Sequence, residues 1–136
     1  MAPKKGEIDP MTHSSPGDTL KADVLIVGGG MVGATLAVAL AEIPMDVIVV
    51  DYQDPADALD AGFDGRASAI ALASRRLFDG LGLWAGMEGD TAPIRHIRVS
   101  EGSSPLFLHY DHRDAGGGPF GYMVENRMIR KAQVRR

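Results

Sequence analysis

The stretch from Ala22 to Asp51 constrains the fold of this chain more than any other. It reads ADVLIVGGGMVGATLAVALAEIPMDVIVVD. Val24 to Val27 form a short, uncharged, β-branched run, which is typical of a parallel strand buried on both faces. Ala34 to Ile43 are rich in Ala and Leu and favour a helix that ends before Pro44. Val47 to Val50 form a second apolar run, so the sequence predicts strand, turn, helix and strand in that order.

The turn after the first strand, Gly28-Gly29-Gly30-Met31-Val32-Gly33, fits the pattern G-x-G-x-x-G. In that pattern Gly28 permits the tight turn, Gly30 lets a pyrophosphate approach the backbone, and Gly33 lets the helix pack close to the sheet. The free N–H groups at the helix start and the positive end of its dipole then face the phosphates. The stretch therefore predicts a Rossmann-like, dinucleotide-binding unit of an α/β fold.

Asp51 follows the second strand, close to the spacing of about 20 residues expected of the acid that accepts from a ribose hydroxyl. A carboxylate there repels a 2′-phosphate, so the site favours FAD or NAD over NADP. Both cofactors present the same ADP half, and the fingerprint leaves the choice between them open. The other interpretation is a glycine-rich turn in an unrelated α/β protein, which does not account for the acid at this spacing.

The residues after Asp51 predict a surface loop and then a second helix. Tyr52 to Gly65 are rich in Asp, Ala and Gly. Arg66 to Phe78 predict a helix with Ser68 as its N-cap and Gly80 and Gly82 as its end. The helix face expected to lie against the core comprises Ile70, Ala73, Leu77 and Leu81.

Arg66 lies at the entrance to that predicted helix, where the loop returns over the nucleotide crevice. An arginine at this point can neutralise pyrophosphate through bidentate contacts. It can equally be a solvated surface residue or the ion-pair partner of Asp64. Position alone leaves these three interpretations open.

The last third of the chain predicts short strands and a final helix. Residues 94–100 and 106–110 show strand patterns joined by a Gly-Ser-Ser-Pro turn, and residues 120–124 suggest another strand. Residues 125–136 have helical character. Trp84, beside the end of the second helix, is expected to be a packing residue rather than a stacking platform.

Composition narrows the class of protein. The 136 residues suffice for one domain, residues 21–136, preceded by a Pro- and Ser-containing segment, residues 1–20, that we expect to be disordered. The net charge of −4 gives no sign of a nucleic-acid binder. The lack of cysteine excludes disulfides, thiolate metal sites and cysteine nucleophiles.

His109 and His112 lie in a polar stretch that is more typical of a solvated loop than of a metal site. No apolar run reaches the roughly 18 residues needed to span a membrane.

Three blocks of the sequence resemble the FAD-dependent aromatic-ring hydroxylases of ubiquinone biosynthesis, in the para-hydroxybenzoate hydroxylase class of flavoprotein monooxygenases. The blocks are DVLIVGGGMVGATLAVALA, FDGRASAIALASRRLFDGLGLW and GYMVENRMIRKA. They cover the chain from about Ala22 to Ala132 in the order of the family. The first block is shared by many flavin and nicotinamide proteins, whereas the second and third are more specific.

The resemblance implies how FAD is held. Asp51 stands where the family more often has glutamate, and Arg66 matches the arginine that contacts the FAD phosphate. The third block lies where the class places further FAD contacts. The cofactor-binding residues implied in this way are Gly28, Gly30, Gly33, Asp51, Arg66, Asn126, Arg127 and Arg130. No catalytic residue and no metal ligand is predicted.

The resemblance also implies an activity. NAD(P)H reduces the FAD, and one oxygen atom of O₂ is transferred to the phenolic ring of a quinone precursor. Family members are much longer, so we expect this chain to be an N-terminal piece, incomplete relative to the family fold and too short for turnover alone. Such a piece leaves an unpaired sheet edge and exposed apolar faces, which favours an oligomer or a partner.

Two other functions stay open. One is a non-catalytic nucleotide-binding module that acts through assembly with another chain. The other is an NAD-dependent dehydrogenase, against which the second and third blocks argue. Because the family works on lipid-tailed substrates, we expect a cytoplasmic protein that touches the inner membrane, by itself or in a multi-enzyme complex.

Overall fold

A computed structural model of the chain describes residues 19–102 and 104–136. Most of the predicted disordered segment, residues 1–18, lies outside the described residues, as does Ser103 of the predicted turn. Within the described residues the chain forms seven strands, four α-helices and two 3₁₀ turns. In chain order these are β1 Val24–Val27, α1 Met31–Ala41, β2 Val47–Val50, α2 Asp57–Asp60, β3 Ala67–Ala71, α3 Leu72–Gly80, 3₁₀ turns Trp84–Gly86 and Glu88–Asp90, β4 Thr91–Ile94, β5 His96–Ser100, β6 Phe107–Asp111, β7 Gly121–Glu125 and α4 Asn126–Val134.

The predicted strand–helix–strand start is confirmed. β1 and β2 are parallel, with Val24 opposite Val47 and Val27 opposite Val50. α1 ends at Ala41, before the proline at position 44, and begins at Met31, three residues earlier than the Ala- and Leu-rich run predicted. The chain therefore enters α1 directly from the glycine turn.

The prediction that β1 is buried on both faces is wrong within the described residues. Ile26 is buried, but Leu25 and Val27 are 61% and 82% exposed. Burial alternates along β1 and α1 packs against the strand pair, so the face that bears Ile26 is the covered one. The expected exposed apolar face is thus present on the other side of this two-stranded sheet.

The predicted helix from Arg66 to Phe78 is wrong in its first half. Ala67–Ala71 forms β3, which pairs antiparallel with β7, and α3 begins only at Leu72. Ser68 is therefore not an N-cap, and its hydroxyl instead donates to Oδ1 of Asn126 at 2.7 Å. The pairing with β7, a contact distant in sequence, overrides the weak helix preference of this Ala- and Ser-rich segment.

The apolar face predicted for that helix changes accordingly. Ile70 is buried, but it is buried from a strand, and Ala73 and Leu77 are exposed. Phe78 is the buried residue of α3. Because the helix starts later than predicted, the face that points to the core differs from the one read from the sequence.

β7 is the central strand of a three-stranded antiparallel sheet in the order β3-β7-β4. Pro93 lies in β4, where the edge position tolerates the missing N–H. The strand predicted for residues 94–100 divides at Arg95, and its second part, β5, pairs with β6 as a separate hairpin. The loop predicted for residues 52–65 contains the short helix α2.

The core lies between α1, α3, α4 and β7. Trp84 is 2% exposed and meets the Tyr122 ring edge-on with the ring centres 5.0 Å apart, so its predicted packing role is confirmed. The buried apolar cluster comprises Val38, Ile70, Phe78, Leu83, Trp84, Met87, Val124, Ile129 and Ala132. This cluster packs α4 against α1 and β7.

A buried amide joins α4 to α1. Gln133 is 3% exposed, and its Nε2 donates to the carbonyl of Met31 and to Oγ1 of Thr35, both at 2.7 Å. Met31 is the first residue of α1, so this contact sets the position of the helix start relative to α4.

Among residues 19–102 and 104–136, no helix has the length and apolarity that crossing a bilayer requires. The same residues hold no group of three or more His, Asp or Glu side chains arranged for a metal ion. His112 is tied to its own turn, where Nδ1 lies 2.8 Å from the carbonyl oxygen of Gly117.

Candidate functional site

An open cleft of about 290 Å³ lies where the glycine turn, the end of β2, the loop before β3 and the start of α4 meet. Its walls bring together residues that are up to 100 positions apart in sequence. Six of the eight residues predicted to bind the cofactor line it: Gly30, Asp51, Arg66, Asn126, Arg127 and Arg130.

The amino end of α1 opens into this cleft. Gly30 is the N-cap residue, with no side-chain hydrogen bond to the first-turn N–H groups, and the first turn holds no acidic residue. A Cβ built on Gly30 would meet no atom within 4 Å. The space beside the helix start is thus open to an anion, which free N–H groups and the helix dipole favour.

The other two glycines of the motif lie outside the cleft lining and act on the backbone. Gly28 has φ of +102°, a conformation that L side chains rarely adopt, and its N–H donates to the Val50 carbonyl at 2.7 Å. A Cβ on Gly33 would lie 1.9 Å from the carbonyl oxygen of Gly28. Gly28 therefore makes the turn and Gly33 permits the close packing of α1, while Gly30 leaves room for the ligand.

Asp51 holds the glycine turn as well as facing the cleft. Its Oδ2 accepts the N–H of Gly29 at 2.5 Å, and its Oδ1 accepts the N–H of Gln53 at 2.8 Å. These backbone hydrogen bonds, from Gln53 first and Gly29 second, lower the pKa of the Asp51 carboxyl, and Arg130 contributes in the same direction. A carboxylate has about four acceptor positions, so acceptor capacity is left for a ribose hydroxyl.

Arg66 lines the cleft and is also paired with Asp64. Its Nε and Nη2 contact Oδ2 of Asp64 at 2.8 and 2.6 Å. The backbone N–H of Arg66 donates to Oδ1 of the same carboxylate at 3.0 Å. The structure therefore shows the ion pair with Asp64 at an arginine that lines the cleft, and the contact of Arg66 with pyrophosphate stays a prediction.

The amino-terminal half of α4 contributes Asn126, Arg127 and Arg130 to the cleft lining. Arg127 Nε donates to Oε2 of Glu125 at 2.5 Å, and its guanidinium lies 5.6 Å from the centre of the Phe63 ring. Arg130 Nη2 donates to the side-chain oxygen of Gln53 at 3.1 Å. These contacts orient the guanidinium groups of two residues that line the cleft.

Asn126 connects α4 to the segment before β3. Its N–H donates to the Arg66 carbonyl at 3.1 Å, and its side-chain oxygen accepts from Ser68. Arg66 and Asn126, 60 positions apart in the chain, are thereby joined at one edge of the cleft. Their individual contacts with a cofactor stay predictions.

The sequence did not place Gln53 and Asp64 in the site, although it offered Asp64 as a possible partner of Arg66. Gln53 joins Asp51 to Arg130, and Asp64 anchors Arg66. The Asp-x-Arg spacing was a usable signal for Asp64, because an aspartate readily accepts the N–H two residues later. No local signal marks Gln53, since its partner lies on α4.

The cleft suits the ADP half of a dinucleotide. Three arginines, Arg66, Arg127 and Arg130, and the start of α1 line the same cleft as Asp51. Cationic and N–H donors suit a doubly charged diphosphate, and a carboxylate suits the hydroxyls of a ribose. The donor set therefore fits the cofactor that the sequence predicted.

Comparison with known proteins agrees with this chemistry. Residues 23–112 match the family model described as FAD dependent oxidoreductase. The chain is 59% identical over 115 residues to ubiquinone hydroxylase UbiL of Rhodospirillum rubrum, which covers 85% of this chain and 27% of that protein. It is 36% identical over 112 residues to 3-demethoxyubiquinol 3-hydroxylase of Escherichia coli, covering 81% of this chain and 28% of that protein.

A eukaryotic relative aligns with similar shares of the two chains. The mitochondrial ubiquinone biosynthesis monooxygenase COQ6 of Xenopus tropicalis is 32% identical over 117 residues, covering 81% of this chain and 25% of that protein. The chain thus spans about a quarter of the length of the curated relatives it matches.

Proposed function

The chain belongs to the FAD-dependent oxidoreductase family, and we propose that it is the FAD-binding part of an aromatic-ring monooxygenase that hydroxylates a ubiquinone precursor. The observation that carries the proposal is the cleft, in which Gly30, Asp51 and Arg66 meet the first turn of α4. This arrangement supports FAD binding because it combines phosphate-binding donors with an acceptor for the ribose.

Each side chain has a binding task in this proposal. The N–H groups at the start of α1 and the guanidinium of Arg66 neutralise the diphosphate. Asp51 accepts from the adenosine ribose while its hydrogen bonds to Gly29 and Gln53 keep the glycine turn in place. Asn126, Arg127 and Arg130 line the same cleft and would add further contacts to the cofactor.

Bound FAD would supply the redox chemistry, with NAD(P)H as the reductant. In the balanced reaction, NAD(P)H and one proton provide two electrons and two hydrogens in total. One atom of O₂ converts a ring C–H to C–OH, and the other leaves as water. The part played by this chain is to bind and orient the cofactor.

The proposed class of substrate also supports a proposal about the cellular location of the protein. One relative is named a ubiquinone hydroxylase, and the family resemblance implies lipid-tailed substrates. We therefore expect the working protein in the cytoplasm, at the surface of the inner membrane, by itself or in a multi-enzyme complex. Sedimentation with membrane vesicles tests this expectation. A protein that stays entirely in the supernatant, with and without quinone precursor, contradicts it.

Titration of the 136-residue chain with FAD, followed by flavin fluorescence, tests the proposed function directly. We expect saturable binding that NAD displaces poorly and that Asp51→Ala or Gly30→Val abolishes. Asp90→Ala, on the second 3₁₀ turn and outside the cleft lining, is the matched control. Stronger binding of NAD than of FAD would favour the dehydrogenase interpretation, and a folded chain that binds neither would refute the proposal.

A further inference from the structure

The inference concerns the side chain of Asp64, which lines the cleft beside Arg66. Its two carboxylate oxygens have separate tasks. Oδ1 accepts the backbone N–H of Arg66 at 3.0 Å, which fixes the carboxylate to the chain. Oδ2 accepts Nε at 2.8 Å and contacts Nη2 at 2.6 Å, which fixes the guanidinium to the carboxylate.

This pairing uses one edge of the guanidinium. Within the part of the chain that the structure describes, Nη1 of Arg66 donates no hydrogen bond. Arginine has five N–H donors in a rigid fork, so the edge formed by Nη1 and the outer hydrogen of Nη2 is still able to donate to an anion. Asp64 and a phosphate can therefore hold the same guanidinium from two sides.

Two effects of Asp64 on a bound phosphate oppose each other. Its negative charge repels the phosphate and competes for Arg66. Its hydrogen bonds also order a long side chain that would otherwise lose its rotamer freedom on binding. The side chains of Arg66 and Asp64 are 70% and 39% exposed, so water and salt weaken the charge repulsion, whereas the ordering is not screened.

From this balance we propose that Asp64 is a positioning residue for the cofactor, holding the Nε–Nη2 edge of Arg66 so that Nη1 is presented to a phosphate oxygen. The inference rests on the proposed function, because it assumes that the cleft binds FAD. The inference goes beyond the proposed function because it gives a role to Asp64, a carboxylate whose charge alone would oppose an anionic ligand.

The test compares FAD dissociation constants of the 136-residue chain and its variants. Asp64→Asn keeps one oxygen that can accept the backbone N–H of Arg66. It lacks the second carboxylate oxygen that accepts from the guanidinium. Asp60→Asn, at the end of α2, makes the same change of charge at a residue that forms no ion pair within the described residues. Arg66→Ala and the double variant with Asp64→Asn complete the cycle.

We expect Asp64→Asn to weaken FAD binding roughly three- to ten-fold, the range expected from ordering one long side chain. The control should stay within about two-fold, and Asp64→Asn should have no further effect in the Arg66→Ala background. The loss should persist at about 1 M NaCl, where the Debye length falls to about 3 Å. Thermal unfolding of the free chain should be unchanged, since the pair is exposed.

Two results overturn the inference in distinguishable ways. If the wild-type chain binds FAD and Asp64→Asn binds it equally or more tightly, Asp64 is a bystander or a competitor and the proposed function stands. If the wild-type chain shows no saturable binding of FAD, the proposed function fails and the role of Asp64 fails with it.

Discussion

Substitution of the third glycine of the motif by alanine should unfold the chain more easily, whereas the same substitution at the second glycine should not. A Cβ on Gly33 would lie 1.9 Å from the carbonyl oxygen of Gly28. A Cβ on Gly30 would meet nothing within 4 Å, and Gly30 has a φ of −65° that alanine adopts readily. The two variants add the same methyl group to one motif, so each is the control for the other.

The magnitude follows from the contact at Gly33. A carbon and a carbonyl oxygen approach to about 3.4 Å at closest, so α1 and the turn must separate by roughly 1.5 Å. Overpacking of this kind costs about 1–3 kcal/mol, and a backbone oxygen cannot swing aside as a side chain does, which favours the upper end. Alanine recovers up to about 1 kcal/mol in helix propensity. We therefore expect a net loss of about 2 kcal/mol.

Urea unfolding followed by circular dichroism measures this difference. Gly33→Ala should lower the free energy of unfolding by about 2 kcal/mol, equivalent to a fall in Tm of roughly 8 °C. Gly30→Ala should unfold like the wild type yet bind FAD at least ten-fold more weakly, because its methyl group enters the space left for the phosphates. Equal stability of Gly33→Ala and wild type would refute the packing argument, and unimpaired FAD binding by Gly30→Ala would refute the placement of the phosphates.

Two further predictions concern residues that hold the cleft in shape. Because backbone hydrogen bonds lower the pKa of Asp51 below its ordinary 3.8, their stabilising effect should be complete above that pH and lost as the pH falls through the lowered pKa of the folded state. The free energies of urea unfolding of Asp51→Asn and wild type should therefore differ by a constant amount between about pH 5 and 8. A difference that already shrinks near pH 6 would contradict this assignment. Gln133→Leu keeps the side-chain volume but removes the donor to the Met31 carbonyl, which should cost about 1–3 kcal/mol in urea unfolding. An unchanged unfolding midpoint would mean that the amide does not join α4 to α1 in solution.

The local parts of the fold could be predicted from the sequence because their signals are local. The strand from Val24 to Val27, the glycine turn and Asp51 lie within one continuous stretch, and the motif itself states which residue makes the turn and which approaches the ligand. The packing role of Trp84 also followed from its size and position. A binding role that depends on residue type and spacing can be predicted without knowing which distant residues lie nearby.

The errors fall where a distant segment decides the local structure. Residues 67–71 were predicted as helix but pair with β7, whose paired residues come 50 to 58 positions later. The exposed faces of Leu25 and Val27 were predicted as buried because an apolar run does not reveal how many layers cover it. Propensity and pattern describe what a segment prefers, and pairing across the chain can outweigh that preference.

The sequence by itself determined the glycine turn, the parallel strands and the acid that follows them, since each depends on neighbours in the chain. Only the tertiary structure decided that α4 closes the cleft, that Asn126 lies against the segment bearing Arg66, and that Gln133 anchors the helix start at Met31. These contacts form between side chains and backbone groups about 60 to 100 residues apart, whose meeting depends on how the helices and sheets pack rather than on any local pattern.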